Sequence, residues 1–270
     1  MNDVQNSPDF RNITLDEAGI KDLLYPVTLL DRENEKQRTV ATISMSVELP
    51  HHFKGTHMSR FLEVLSRHTC EFDGRTIPAI LSELKEVLDA ESARMTLEFP
   101  YFLEKKAPVT GIAAKMDYEC RFFGESGPDG EDFILTVTTP VCSLCPCSRE
   151  ISSYGAHNQR GHITIETRSL PGEDGIPVIV WIEELIEIAE TSASSPVYPL
   201  LKRPDEKHVT EHAYDNPVFV EDMVRNASDM LRKDSRLTWF RVTAENQESI
   251  HNHTAYAVFE WHRPEISDSN

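Results

Sequence analysis

Three stretches near the middle of the chain alternate apolar and polar residues almost without a break. Met95, Leu97 and Phe99 alternate with Thr96 and Glu98; Met116, Tyr118, Cys120 and Phe122 alternate with Lys115, Asp117, Glu119 and Arg121; Phe133, Leu135 and Val137 alternate with Ile134, Thr136 and Thr138. A period of two sends successive side chains to opposite faces, so each stretch specifies a strand with one buried face. The Gly-Glu-Ser-Gly-Pro-Asp-Gly segment at residues 124–130 supplies a turn between the last two, which makes them an antiparallel hairpin. Such a face needs cover, and helical spacing provides it. Phe61, Leu62 and Leu65 open one helix near His57, Gly74 interrupts it, and Ile80, Leu81, Leu84, Val87 and Leu88 mark a second. Residues 39–49 read as a further strand. Residues 1–35, polar and aperiodic, read as a loosely packed arm.

The second half follows the same order. Residues 161–167 predict a strand and residues 180–193 a helix. Asn216-Pro217 reads as an N-cap followed by proline at the first helical position, ahead of the apolar stripe Val220, Met223, Val224, Ala227 and Leu231. Strands at residues 236–244 and 255–261 complete the pattern. Two helices among antiparallel strands in each half predict an α+β layer fold. With 270 residues there is chain enough for one large domain or two small ones.

Composition excludes several classes of function. The net charge of -18 repels nucleic acid and anionic membrane, so neither is an expected partner. No run approaches the roughly 20 apolar residues of a membrane span. The first residues lack the basic and apolar regions of a secretory signal, so no signal peptide is expected and the cytoplasm is the expected setting. Of five cysteines, three crowd together as Cys142, Cys145 and Cys147, a spacing that suits a reducing compartment better than a disulfide framework. Basic residues do gather locally, at 51–60 and 201–204, where a small anion could be held.

The chemistry-bearing segment is Ser-Leu-Cys-Pro-Cys-Ser-Arg-Glu at residues 143–150, followed by Tyr-Gly-Ala-His-Asn-Gln-Arg at residues 154–160. Cys145 and His157 offer a sulfur and an imidazole nitrogen just beyond a strand. Two such ligands do not close a tetrahedron; a carboxylate from elsewhere would leave a place for water, the arrangement of a hydrolytic rather than a structural metal centre. Cys147 lies beside them, and Arg149 favours thiolate character nearby. Cys142 and Cys145 form a C-x2-C, but no second pair completes a four-ligand knot, and Cys70 and Cys120 fall within predicted core elements. The H-x-E of zinc deaminases is absent: none of the eleven histidines is followed two places on by glutamate. His251, with His253, occupies a polar loop between two predicted strands, either as a solvated imidazole or as a general acid/base. Glu206 reads as part of a loop and Glu221 as part of a helix's first turns. Nothing in their spacing separates them from other acidic residues. Lys54, His57 and Arg60 surround a predicted helix start, a place that attracts anions but without a P-loop pattern.

Six motifs together carry a family resemblance: Leu49-Pro50, residues 54–61, residues 143–148, residues 154–160, residues 198–206 and residues 248–253. In this order they resemble the prokaryotic GTP cyclohydrolase of type IB, over residues 10–262. The resemblance implies a tunnelling fold with two tandem modules, each an antiparallel sheet with two helices on one face. These are expected at 36–145 and 146–270, the second carrying most of the metal site. It implies a homotetramer with interfacial active sites, GTP as substrate, and 7,8-dihydroneopterin triphosphate and formate as products. It implies a divalent metal held by Cys145, His157 and Glu206; zinc suits a cysteine and imidazole set, and manganese and iron also fit. Glu221 would anchor guanine, His251 and His157 would move protons, Cys147 would line the site, and Lys54, Arg60, Lys202 and Arg203 would hold the triphosphate, with His57 nearby. Two other readings stand beside it. A tunnelling-fold nitrile reductase would use a cysteine nucleophile and NADPH. A non-enzymatic metal- or redox-responsive protein would use the cysteine cluster alone.

Overall fold

The computed structural model describes Gln5 and residues 9–68, 71–173 and 175–264. Cys70 lies outside them. The chain runs β1 (Leu15–Asp31), β2 (Glu35–Leu49), α1 (Met58–Arg67), β3 (Glu71–Phe72), α2 (Thr76–Leu88), β4 (Ala93–Lys106), β5 (Ala113–Gly127), β6 (Gly130–Leu144), α3 (Pro146–Ile151), β7 (Asn158–Ser169), α4 (Ile182–Ser192), β8 (Ser195–Pro196), α5 (Arg203–Asp215), α6 (Val220–Leu231), β9 (Leu237–Gln247) and β10 (Thr254–His262). It divides into two compact units. One comprises residues up to 100 with 121–135 and 171–179; the other comprises 101–120, 136–170 and 180 onward. No helix among the described residues is long and apolar enough to cross a membrane.

In the first unit β2 pairs antiparallel with both β1 and β4, and α1 and α2 supply the covering layer. The alternating residues of the sequence become its core. Ile43, Met45, Met95, Leu97 and Phe99 are buried from the strands, and Phe61, Leu65, Ile80, Leu81 and Leu84 from the helices. The expected loose arm instead contains β1, a strand of 17 residues paired along β2. Its alternation is broken by register shifts between Leu15 and Ala18 and between Ile20 and Leu23. Each bulge reverses which residues face inward, so a simple period of two fails. Asp22 takes φ 61° at the second shift, and a side chain on Gly19 would meet the Met45 carbonyl oxygen at 1.9 Å. The predicted seven-residue turn shrinks to Pro128 and Asp129, because β5 and β6 extend to Gly127 and from Gly130.

In the second unit β9 lies between β7 and β10, all antiparallel. The buried faces of α4 (Leu185, Ile186, Ala189) and α6 (Met223, Val224, Ala227, Leu231) join Ile163, Ile165, Phe240 and Val242 in its core. Each fully buried large aliphatic contributes about 1.5–3 kcal/mol, enough to fix a helix bearing three or four.

Two elements differ from their sequence expectation. Residues 203–208 are helical, the start of α5, not a loop. Of its apolar residues only Ala213 is buried, so it has no stripe for periodicity to detect. A polar anchor fixes it instead. Asp205, fully buried, accepts from the N–H groups of Val109 (2.9 Å), Thr110 (2.9 Å) and Lys202 (2.9 Å) and from the Thr110 hydroxyl (2.7 Å). The second is α6, whose N-cap is Phe219 rather than Asn216. Asn216 caps the end of α5, and its side-chain amide donates to the Ala193 carbonyl at 3.0 Å. Helices α4, α5 and α6 all begin alike: an acidic residue (Glu184, Asp205, Asp222) reaches back to the N–H of the N-cap. Those caps are Trp181, Lys202 and Phe219, none of which signals a helix start by its own side chain.

Burial alone would raise the Asp205 pKa, but the Thr110, Lys202 and Val109 donors outweigh it and hold the carboxyl well below the usual carboxylate range. A carboxyl depressed on folding adds stability that is complete above its unfolded value of about 3.9 and is lost as pH falls toward the folded one. Asp205→Ala is therefore expected to lower the urea midpoint at neutral pH. The gap from wild type should narrow once pH drops below about 4. Urea titrations across that range check it; a gap unchanged in acid contradicts the assignment.

Candidate metal centre and substrate site

Strand β6 stops at Leu144 because Pro146 cannot continue a ladder and is suited to the first position of α3. Cys145 becomes the N-cap, and its Sγ accepts the Ser148 N–H at 3.4 Å. The Cys145 N–H donates to the His157 carbonyl at 3.1 Å, so the two sequence candidates are neighbours. Ser148 fastens both: its hydroxyl donates to the Cys145 carbonyl at 3.1 Å and accepts the His157 N–H at 3.2 Å. Cys147 is exposed on α3. Cys142, opposite Ser195 of β8, has its thiol pushed up by burial, opposed by Arg160.

His157 Nδ1 lies 3.0 Å from Gln159 Oε1 and 3.3 Å from Ser249 Oγ. Ser249 belongs to the β9–β10 loop, so that loop comes to His157, carrying His251 two residues on. The rings of His251 and His253 stack at 5.1 Å. Among the described residues the imidazole of His157 thus has Nδ1 engaged by protein and no hydrogen-bond partner at Nε2.

Behind it lies a polar cluster that the sequence reading missed. Gln159 Nε2 donates to Ser143 Oγ (3.3 Å), Asn246 Nδ2 donates to the same oxygen (3.2 Å), and the Ser143 hydroxyl donates to the Val218 carbonyl (3.2 Å). All three side chains are buried. Their signal was polarity in the wrong phase: Ser143 continues the buried series Thr139, Val141; Gln159 precedes Gly161, Ile163, Ile165; Asn246 follows Val242, Ala244. Gly161 faces Asn246 across β7 and β9, and a Cβ there would sit 2.2 Å from Asn246 Oδ1.

The other candidates are more dispersed. Glu206 is exposed in the first turn of α5, directly after buried Asp205, with Lys202 and Arg203 exposed at the same helix start. Arg149 of α3 stacks over the Tyr214 ring of α5 at 4.7 Å, which brings these two helices into contact. Glu221 is exposed in the first turn of α6 and lines a cleft of about 400 Å³ with Val224, Ser228, Ala257, Val258 and Phe259. Lys54, His57 and Arg60 belong to the first unit. His57 is the N-cap of α1, and the Arg60 guanidinium donates to the Val87 carbonyl at 2.8 Å. Among the described residues no three of His, Cys, Asp and Glu converge on one ion position. Cys145 and His157 are joined through their backbones, and by residue type a sulfur and an imidazole nitrogen suit a borderline-soft divalent ion.

Residues 1–257 match the family model described as type I GTP cyclohydrolase folE2. The chain belongs to this family. A GTP cyclohydrolase FolE2 from Geotalea uraniireducens is 53% identical over 260 residues, covering 96% of this chain and 93% of its own. One from Thermosipho melanesiensis is 52% identical over 257 residues, covering 95% and 96%. Among solved structures, a hyperthermostable mutant of the Bacillus sp. TB-90 urate oxidase superposes with TM-score 0.54 at 11% identity, covering 92% of this chain and 99% of that one. The uricase of Arthrobacter globiformis gives 0.52 at 7% identity, covering 94% and 95%. Likeness at such low identity is one of fold, and the fold is the α+β tunnelling fold expected from the sequence. Family membership favours cyclohydrolysis over nitrile reduction and over a non-enzymatic cysteine switch.

Proposed function

We propose that this chain is a metal-dependent GTP cyclohydrolase I that converts GTP and water to 7,8-dihydroneopterin triphosphate and formate, the entry to folate and related pterins. Family membership supports the activity. The observation that supports the site is the backbone bond from Cys145 to His157, together with the engagement of His157 Nδ1 by Gln159, which would leave Nε2 for a metal. Cys145, His157 and Glu206 would hold the ion, zinc by the softness of sulfur and nitrogen, with manganese or iron as substitutes. Such an ion supplies Lewis acidity, which makes water nucleophilic near neutral pH.

The chain's own residues do the rest. His251, on the loop that Ser249 ties to His157, moves protons as the imidazole ring of the purine opens and formate leaves. Glu221 accepts the N1 and 2-amino protons of guanine. Lys54, Arg60, Lys202 and Arg203, with His57, offset the triphosphate charge on an otherwise acidic protein. Cys147 lines the site. Because these groups lie in separate units and on exposed helix starts, a homotetramer with sites at subunit interfaces supports their convergence. Clustered free thiols support a reducing, cytoplasmic setting.

Incubating the full chain with GTP and zinc should release formate and yield a fluorescent pterin after oxidation, and a chelator should abolish both. Absence of formate with zinc, manganese and iron(II) each supplied in turn would overturn the assignment.

A further inference from the structure

We infer that Gln159, oriented by Ser143 and Asn246, is a positioning residue that locks the proton of neutral His157 on Nδ1 and so reserves Nε2 as the metal donor. This rests on the reading of His157 as a ligand. The Val218 carbonyl can only accept. It takes the single Ser143 proton at 3.2 Å. Ser143 Oγ can then only accept from its other neighbours, so both the Gln159 and the Asn246 amides must present nitrogen to it, as they do at 3.3 and 3.2 Å. With its nitrogen committed, Gln159 has only oxygen left for His157 Nδ1, 3.0 Å away. An oxygen there requires N–H on Nδ1, and the lone pair falls on Nε2.

Two features oppose rearrangement. Ser249 Oγ, 3.3 Å from Nδ1, could donate to an unprotonated Nδ1, but the oxygen of buried Gln159 would then face a lone pair across a part-buried contact. Turning Asn246 over would place its two donors against Gly161, where its Oδ1 now has no hydrogen-bond partner. Leaving one acceptor unmet costs less than burying unmet donors there, and the α-hydrogens of Gly161 offer that oxygen weak contact. The orientation is thus set by the Val218 carbonyl ahead of α6 and by groups on β6, β7 and β9, none of which touches substrate in the proposed chemistry.

The test uses the full-length chain and zinc(II) alone, by competition with a chromogenic chelator. His157→Ala should weaken zinc binding strongly; if it does not, His157 is no ligand, and the metal reading and this inference fail together. Gln159→Leu should lose about 10–100-fold in zinc affinity while Gln159→Glu, which still accepts from Nδ1–H, should stay within about threefold of wild type. Nitrogen-15 spectra of histidine-labelled, metal-stripped protein at mildly alkaline pH read the tautomer directly, with His157 assigned by its loss in His157→Ala. Wild type should show Nδ1–H, and Ser143→Ala, which frees Gln159 to turn without removing it, should show a mixture. Nε2–H in wild type, or wild-type zinc affinity in Gln159→Leu alongside a weakened His157→Ala, would overturn the positioning role and leave the metal reading intact.

Discussion

Cys145→Ala is expected to lower formate release from GTP by at least about 10³-fold, since a lost Lewis acid removes several kcal/mol of barrier stabilisation and each 1.36 kcal/mol is tenfold. The fold should survive. The backbone bonds that place residue 145, from its N–H to the His157 carbonyl and from the Arg149 N–H and Ser148 hydroxyl to its own carbonyl, do not involve sulfur. Only the Ser148 N–H contact to Sγ is lost, and because sulfur is a weak acceptor its cost lies at or below the low end of the roughly 0.5–2 kcal/mol of an oxygen cap. The thermal midpoint of the metal-stripped variant should therefore stay near that of metal-stripped wild type, while zinc no longer raises it. Serial formate assays with the melting curves separate the two effects. Turnover within tenfold of wild type would remove the sulfur from the chemistry.

Where side chains repeat with the period of their element, the sequence was legible. Met95, Leu97 and Phe99 announced β4, and Val220, Met223, Val224, Ala227 and Leu231 announced the body of α6. What escaped was decided by interactions that leave no periodic mark. Strand β1 hid because two bulges reverse its phase. Helix α5 hid because a single buried carboxylate, Asp205, binds a turn 95 residues away in place of an apolar stripe. The site divides in the same manner. Cys145 and His157 are recognisable as donors by residue type and stand 12 positions apart, so local chain geometry can join them. Gln159, Ser143 and Asn246 acquire their role only when three strands align. The Asn246 to Ser143 bond spans 103 residues, and no local pattern encodes such a contact. Their one sequence mark is a polar side chain where the strand's buried phase calls for an apolar one, and buried polar groups without partners are costly enough that such a position implies a network.

If Glu221 reads the base, nucleotide choice tests its role more sharply than rate alone. Guanine presents N1–H and a 2-amino group along one edge, both donors, and a carboxylate can accept both in parallel. Hypoxanthine keeps N1–H but lacks the amino group; adenine lacks both features. Removing the acceptor with Glu221→Ala should cost two charge-assisted hydrogen bonds of about 1.5–3 kcal/mol each, a fall of roughly 10²–10⁴-fold in kcat/KM for GTP. The GTP-over-ITP preference, about 10-fold or more in wild type from the single 2-amino bond, should collapse toward unity in the variant. Loss of structure cannot imitate this result. Glu221 is exposed in the first turn of α6, where its charge contributes only about 0.3–1 kcal/mol through the helix dipole, whereas the helix is held by its buried stripe. Competing GTP against ITP in one assay measures the ratio independently of enzyme concentration. If Glu221→Ala keeps the wild-type ratio while losing rate, the carboxylate does not touch the 2-amino edge.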